Sequence, residues 1–175
     1  ATERPNIVLI LADDLGYSDL GCFGSEIETP RLDQLSTQGI RMTQLYNAAR
    51  CCSTRASLLT GLYPHQAGVG AMSVDNQKPG YRGFLTDRAV CVASLLKQTG
   101  YQTFMTGKWH LRGKGNQECI PTNHGFDEFF GHFKAYASYY RSDLFERLPA
   151  GRRKRDYKDD EFYATDAITD HAVDF

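Results

Sequence analysis

The sequence has no apolar run long enough to cross a membrane, since the longest, residues 7–12, is far shorter than the roughly 20 residues a spanning helix needs. It also has almost no net charge, −1 over 175 residues, of which 23% are charged. Without an excess of either sign, the composition predicts neither a nucleic-acid partner nor binding to a membrane surface. The hydrophobic content of 41% is that of an ordinary globular chain, so function has to be sought in local clusters.

Paired cysteine spacings are missing as well. The number of cysteines, five, is odd, so they cannot all form disulfides with one another. No two of them have the C-x-x-C spacing of a zinc ribbon. The sequence therefore indicates neither a structural zinc site nor a disulfide framework, although one disulfide remains open. The first residue, Ala1, is not methionine. Ala1 is either a mature start left by signal-peptide cleavage or an arbitrary boundary. We expect the mature start, which predicts a periplasmic or secreted protein.

What the sequence does contain is a cysteine pair directly ahead of a predicted short helix. Ser53 or Thr54 is the expected N-cap of this helix, and Gly61 is its expected end. A helix N-terminus presents free backbone N–H groups and a partial positive charge, which Arg55 would reinforce. The pattern therefore predicts that an anion binds beside Cys51.

Three interpretations of Cys51 follow. It is a thiolate nucleophile activated by the helix end and the arginines, or a residue modified into another group that attacks an anionic substrate. It is otherwise half of a buried cysteine pair that packs behind the helix. Residue types and spacing alone leave these three open.

A second cluster follows the apolar run at the start of the chain. Residues 6–12 are rich in β-branched side chains and apolar on both faces, which predicts a central strand of a parallel sheet. The run ends in Asp13 and Asp14, and binding groups gather at the carboxyl ends of such strands. Two carboxylates there suit a hard cation, Ca²⁺ or Mg²⁺, whereas a solvated loop or a helix cap is the alternative.

The next elements predict a βαβ unit. A helix should begin with Thr29 as N-cap and Pro30 at its first position, bury Leu32 and Leu35, and end at Gly39. Residues 40–47 alternate as a strand would. Because such crossovers are right-handed, we expect the first strand's carboxyl end and the Cys51 helix on one rim of the sheet.

A third cluster follows a predicted helix over residues 88–100 and a predicted strand over residues 101–105. Lys108 and His110 are alternate residues, so they would project to the same side if strand geometry continued. The lysine offers charge to an anion and the histidine offers proton transfer, although an exposed loop would explain both. A last helix is predicted over residues 160–175.

Several of these segments resemble the sulfatase family. Cys51, Ser53 and Arg55 match its signature of a cysteine, a small residue or proline two places on, and an arginine two further on. Asp13 and Asp14 match the usual opening of a sulfatase. Residues 107–110, Gly-Lys-Trp-His, and residues 125–131 match two later segments. The resemblance covers nearly the whole chain.

The resemblance implies an α/β fold of the alkaline-phosphatase-like sulfatase type, with a mostly parallel central sheet flanked by helices. It implies that a maturating enzyme oxidises Cys51 to formylglycine, whose hydrate attacks a sulfate monoester. Asp13, Asp14 and the modified Cys51 would bind one Ca²⁺. Arg55 and Lys108 would contact the sulfate, and His110 would help to release it. The implied substrate is a sulfated small molecule or glycan.

In sulfatases a strand after this last helix brings a further histidine, and an Asp-Asn pair and a second lysine come later still, beyond the part that these 175 residues match. We therefore expect residues 1–175 to be the N-terminal part of a sulfatase catalytic domain, inactive or nearly so by itself. Two other functions stay open. One is a formylglycine-dependent phosphodiesterase or phosphonate ester hydrolase, and the other is a catalytically silent binding protein in which Cys51 stays a thiol.

Overall fold

The computed structural model describes residues 4–150, 155–158 and 160–175, so the expected mature start at Ala1 lies outside the described residues. The chain divides into two units, Ala1–Tyr46 and Asn47–Phe175. Among the described residues, every helix falls short of the length and apolarity that a membrane crossing requires.

Helix α1, Pro30–Gln38, is the regular element of the first unit. Its start at Pro30 and its end before Gly39 are as predicted. Thr29 occupies the N-cap position, but its hydroxyl donates to Asp33 Oδ1 (3.0 Å) instead of capping the helix. The same oxygen accepts the Cys22 N–H (2.8 Å), so Asp33 ties the 3₁₀ turn Gly21–Phe23 to α1.

The two strands expected in this unit do not form, and the βαβ prediction is wrong for the described structure. Residues 6–12 and 40–47 carry no strand pairing, and Val8 is 81% exposed. Leu32 and Leu35, expected to face inward, are also exposed. A strand that is apolar on both faces needs neighbouring strands and covering helices, and the described part of the chain supplies none to these segments.

The sheet of the second unit has three strands in the order β1-β2-β3: Phe104–Lys108, Glu128–His132 and Glu146–Leu148. β1 and β2 are parallel, with Gly107 opposite Gly131, and β2 and β3 are antiparallel. β1 begins three residues later than predicted. β2 and β3 were not predicted as strands.

Three helices accompany this sheet: α2, Cys51–Thr60; α3, Val92–Gln98; and α4, Ala164–Asp174. α3 is shorter than predicted. The sequence predicts an amphipathic helix with Val92, Leu95 and Leu96 on its apolar face, but the structure buries Ala93 and leaves Val92 and Leu95 exposed, so that face was wrong. α4 lies within the predicted range, with Ala167 buried and Ala172 exposed.

The core of the second unit consists of two hydrophobic clusters. Side chains alternate across a strand, so the neighbours Phe129 and Phe130 of β2 enter different clusters. The first cluster also contains Trp109, Leu85, Leu111, Val69, Cys52 and Ala56, and the second contains Phe145, Phe162, Ala164 and Ala167. The first cluster therefore joins α2 to the sheet.

Two glycines approach each other closely across β1 and β2. A Cβ built on Gly131 would overlap the carbonyl oxygen and carbon of Gly107 on the neighbouring strand. Gly107 itself has φ +96°, which side-chain-bearing residues rarely adopt. The pairing of β1 with β2 therefore requires glycine at residue 131.

We predict that Gly131→Ala lowers the free energy of unfolding by at least about 2 kcal/mol, because the new methyl group cannot fit against backbone. Urea unfolding followed by Trp109 fluorescence measures this change. Gly39→Ala is the control, since its Cβ would meet only the Leu35 carbonyl oxygen at 3.3 Å. Equal stability losses in both variants would contradict the close approach.

A buried polar cluster joins α4 to β2 and β3. Arg147 forms an ion pair with Glu128 and donates from Nη1 to His171 Nδ1 (2.9 Å), which therefore accepts as a neutral imidazole. The ring of His171 stacks on Phe130 with the ring centroids 3.7 Å apart. Burial, and then the positive charge of Arg147, lower the pKa of His171 to about 4.

This pKa predicts a pH-dependent stability. An unfolded histidine titrates near 6.5, so the contribution of neutral His171 is complete above about pH 6.5 and is lost as the pH falls towards 4. We expect the urea midpoint to fall over this window, and to fall less in His171→Phe, which keeps the aromatic contact. A His171 imidazole resonance that titrates above pH 6 by NMR would contradict the prediction.

Candidate active site

The site begins with α2. This helix starts at Cys51, ahead of both predicted N-caps, Ser53 and Thr54. Arg50 is the N-cap, with an extended backbone at φ −139° and ψ 144°. The predicted caps, Ser53 and Thr54, therefore lie in the first turn, and that prediction was wrong. Gly61 ends the helix in the left-handed region (φ 69°, ψ 8°), as predicted. Cys51 is thus the first helical residue, where backbone N–H groups lack helical partners.

Ser53 has a structural contact of its own. Its hydroxyl donates to the Val69 carbonyl (3.0 Å), and both residues are buried. The bond holds the loop that contains Val69 against the first turn of α2. A proline or alanine at residue 53 would leave that carbonyl without this donor, so the serine is explained by the loop it anchors.

Arg55 connects α2 to β1. It is 7% exposed, and Nη1 donates to the main-chain carbonyl of Lys108 at 2.6 Å. Because residues four apart share one face of a helix, Arg55 lies on the face of α2 that carries Cys51. The predicted anion-contacting residues Arg55 and Lys108 are therefore brought together, through a bond to the lysine backbone.

His110 lies beside the cysteines, but the alternation of side chains along a strand does not explain its position. β1 ends at Lys108, and His110 has φ +51°, so the expected continuation of strand geometry is absent. Nevertheless, ligand atoms of His110, Cys51 and Cys52 all lie within 4.8 Å of one another. The imidazole is buried, at 2% exposure. The structure thus brings together Cys51 and His110, as the sequence interpretation requires.

Cys52 is the member of the site that sequence reasoning missed. It is fully buried, and its Sγ lies 3.6 Å from the Sδ of Met72. Burial, and then the proximity of Cys51, raise the pKa of the Cys52 thiol. Adjacency to Cys51 at a helix start was the available signal, but nothing in the sequence linked it to Met72.

Unfavourable backbone conformations concentrate near these residues. Positive φ at a non-glycine residue costs on the order of 1–3 kcal/mol and is common at functional sites. His110 has one, as do Met72 beside Cys52 and Ala49 just before α2. Across the described residues, the positive-φ non-glycine residues are Asp14, Ala49, Met72, Gln77 and His110.

Asp13 and Asp14 belong to the first unit, whereas the other predicted site residues belong to the second. Both aspartates are exposed, and Asp14 has φ +58°. Their carboxylate oxygens are the donor type that Ca²⁺ prefers. That ion takes six to eight oxygen ligands. The two carboxylates are therefore ligands of the right type, but they supply only part of its coordination shell.

A family model described as Sulfatase matches residues 5–175 of the chain. The chain belongs to the sulfatase family. An arylsulfatase of Klebsiella aerogenes is 37% identical to it over 175 residues, which is 94% of this chain and 37% of the relative.

Solved structures agree with the family. Ps i-CgsB in complex with k-i-k-neocarrahexaose superimposes with a TM-score of 0.80 and 31% identity, covering 99% of this sulfatase chain and 41% of the other. A second structure, BT4656 in complex with its substrate D-glucosamine-2-N,6-O-disulfate, superimposes with a TM-score of 0.72 and 31% identity. The match covers 99% of this chain and 31% of the other. The predicted sulfatase-type α/β fold is confirmed. The chain spans well under half the length of the relatives that it matches.

For this sulfatase chain, we predict that Arg55→Met lowers the free energy of unfolding by about 2–3 kcal/mol, because the half-buried Lys108 carbonyl loses a charged donor. Urea unfolding checks the change. Arg50→Met is the matched control, since Arg50 is exposed and precedes the same helix. If the two variants lost equal stability, the bond from Arg55 would contribute nothing.

Proposed function

We propose that the chain carries the nucleophile-bearing part of a formylglycine-dependent sulfatase that hydrolyses a sulfate monoester. In this proposal, residues 1–175 are the N-terminal part of the catalytic domain. The share of the relatives that is covered, 37% for the Klebsiella arylsulfatase, supports it. Activity is accordingly a property of the full-length protein.

The observation that carries the proposal is the position of Cys51. The residue is a free, half-buried cysteine at the start of α2, and its thiol lies close to the imidazole of His110. Arg55 lies one turn further along the helix and is bound to the end of β1. A nucleophile, a proton-transfer group and a cation are thereby grouped at one helix N-terminus, which itself favours anions.

Two groups complete the proposed chemistry. Oxidation of Cys51 by a maturating enzyme would supply an aldehyde hydrate as the nucleophile, and the half-buried free thiol fits that role. A Ca²⁺ ion would supply Lewis-acid stabilisation, and the carboxylates of Asp13 and Asp14 are donors of the type that it takes; the resemblance to sulfatases implies the modified residue 51 as a further ligand.

The chain's own residues have separate roles. The first N–H groups of α2 and the guanidinium of Arg55 stabilise negative charge on the sulfate, most usefully as it redistributes in the transition state. The ammonium of Lys108 binds a sulfate oxygen. An imidazole nitrogen of His110 accepts the proton from a hydroxyl at residue 51, which allows sulfate to leave. Burial of the His110 side chain keeps water from that nitrogen.

The substrate class that we propose is a sulfated sugar. Two structures with 31% identity bind such molecules, a neocarrahexaose and a glucosamine disulfate. A sulfated sugar as substrate is compatible with the periplasmic or secreted location that the sequence analysis expects, and we keep that location as part of the proposal. The likeness to an arylsulfatase makes an aryl sulfate a practical assay substrate.

The deciding experiment is mass spectrometry of the Cys51 peptide from full-length protein made in its native host. We expect the sulfur at Cys51 to be replaced by an aldehyde oxygen, while Cys52 is unchanged. We also expect aryl sulfate hydrolysis that is lost in Cys51→Ala and kept in Cys22→Ala, which removes a cysteine of the first unit.

Other outcomes would replace the proposal. An unmodified thiol at Cys51 in every copy would favour a catalytically silent sulfatase-like binding protein. An aldehyde combined with faster hydrolysis of aryl phosphodiesters than of aryl sulfates would favour a formylglycine-dependent phosphodiesterase or phosphonate ester hydrolase.

A further inference from the structure

The site contains more sulfur than formylglycine chemistry uses. Only Cys51 is converted in that chemistry, yet Cys52 lies beside it with a ligand atom within 4.8 Å of those of Cys51 and His110. Across the described residues, this is the one group of three or more potential metal ligands drawn from His, Cys, Asp and Glu. It contains no carboxylate, so it differs in kind from a site for Ca²⁺.

A third sulfur adjoins the group. The thioether of Met72 lies 3.6 Å from the thiol of Cys52, and the backbone of Met72 is held at φ +59°. Thiolate and thioether donors select soft cations, and imidazole binds them as well. The local donor set is therefore three sulfurs and one nitrogen, which suits copper(I) better than a hard divalent ion.

The spacing is compatible with one shared ion. With metal–sulfur bonds of about 2.3 Å, two sulfurs lie about 3.8 Å apart in a tetrahedral site and about 4.6 Å apart in a linear one. The ligand atoms of Cys51, Cys52 and His110 lie within 4.8 Å of one another, so small side-chain rotations suffice for a two- or three-coordinate ion. Met72 would be the weaker, additional ligand.

We propose that, while Cys51 is still a cysteine, Cys51, Cys52 and His110 bind one soft monovalent cation of the copper(I) class, with Met72 adjoining. Binding forms metal–sulfur and metal–nitrogen bonds, and each thiol that binds releases its proton to solvent. No oxidation or reduction occurs. The buried Cys52 thiol is a neutral donor in the metal-free chain, and the cation stabilises its thiolate.

One consequence rests on the proposed function, whereas the binding itself does not. A cation bound to Cys51 occupies the thiol that a maturating enzyme would oxidise, so the metal-bound chain should resist conversion. Conversion in turn removes one sulfur ligand, and the matured protein should bind the cation more weakly. Metal binding at Cys51 and maturation of Cys51 would therefore exclude each other.

The test uses full-length protein made in a host without sulfatase maturation, with Cys51 verified as a thiol by mass spectrometry. Silver(I), a redox-inert probe, is titrated and counted by native mass spectrometry, and copper(I) affinity is measured anaerobically against a chromophoric chelator. We expect one tight ion per chain. Cys52→Ser should weaken binding more than about 100-fold, and Met72→Leu, which keeps the side-chain volume, about 10-fold.

Cys22→Ser and Cys91→Ser are the matched controls, since both remove a free cysteine outside the cluster and should leave the affinity unchanged. Peptide mapping after alkylation should show Cys51 protected by the bound ion, a readout that is independent of activity. Binding that is unchanged in Cys52→Ser, or that is lost in a control, would overturn the proposal. Zn²⁺ binding tighter than copper(I) would overturn the choice of cation. Binding with an unmodified thiol in native protein would leave this inference standing and remove the proposed function.

Discussion

The hydrogen bond from the buried guanidinium of Arg55 to the half-buried Lys108 carbonyl is the constraint on which the site depends. It joins the helix that begins with Cys51 to the strand whose end leads to His110, and these elements lie far apart in sequence. A buried guanidinium is stable only where its donors are used, so this bond fixes the approach of α2 to β1. Arg55 therefore holds the two halves of the site together whatever it contributes to sulfate binding.

The position of β1 also depends on a pair of glycines in the sheet. Gly107 and Gly131 lie opposite each other on β1 and β2, and no side chain fits at Gly131. The approach brings Phe129 into the core cluster that also contains Cys52 and Trp109. Packing around one cysteine is thereby coupled to the strand pairing that positions Lys108. The glycines act on the site without touching it.

The chemistry at Cys51 is also linked to backbone conformations that cost free energy. His110 and Met72 both have positive φ, and both lie in or beside the sulfur-rich cluster. Such conformations persist only when surrounding contacts determine them. Close to Met72, the Ser53–Val69 bond anchors the loop to the first turn of α2. This arrangement is expected of a preorganised site.

Local signals in the sequence determined the elements whose contacts are short-range: the end of α2 at Gly61, the start of α1 at Pro30 and the helical pattern of α4. Local signals also placed Cys51 and Arg55 at one helix N-terminus, whereas only the resemblance to sulfatases related His110 to them. Local signals could not decide the burial of residues 6–12, because a strand needs partners that periodicity does not reveal. Only the tertiary structure decided that Cys52 and Met72 meet and that His110 turns towards the cysteines, because those contacts depend on how distant segments pack rather than on residue spacing.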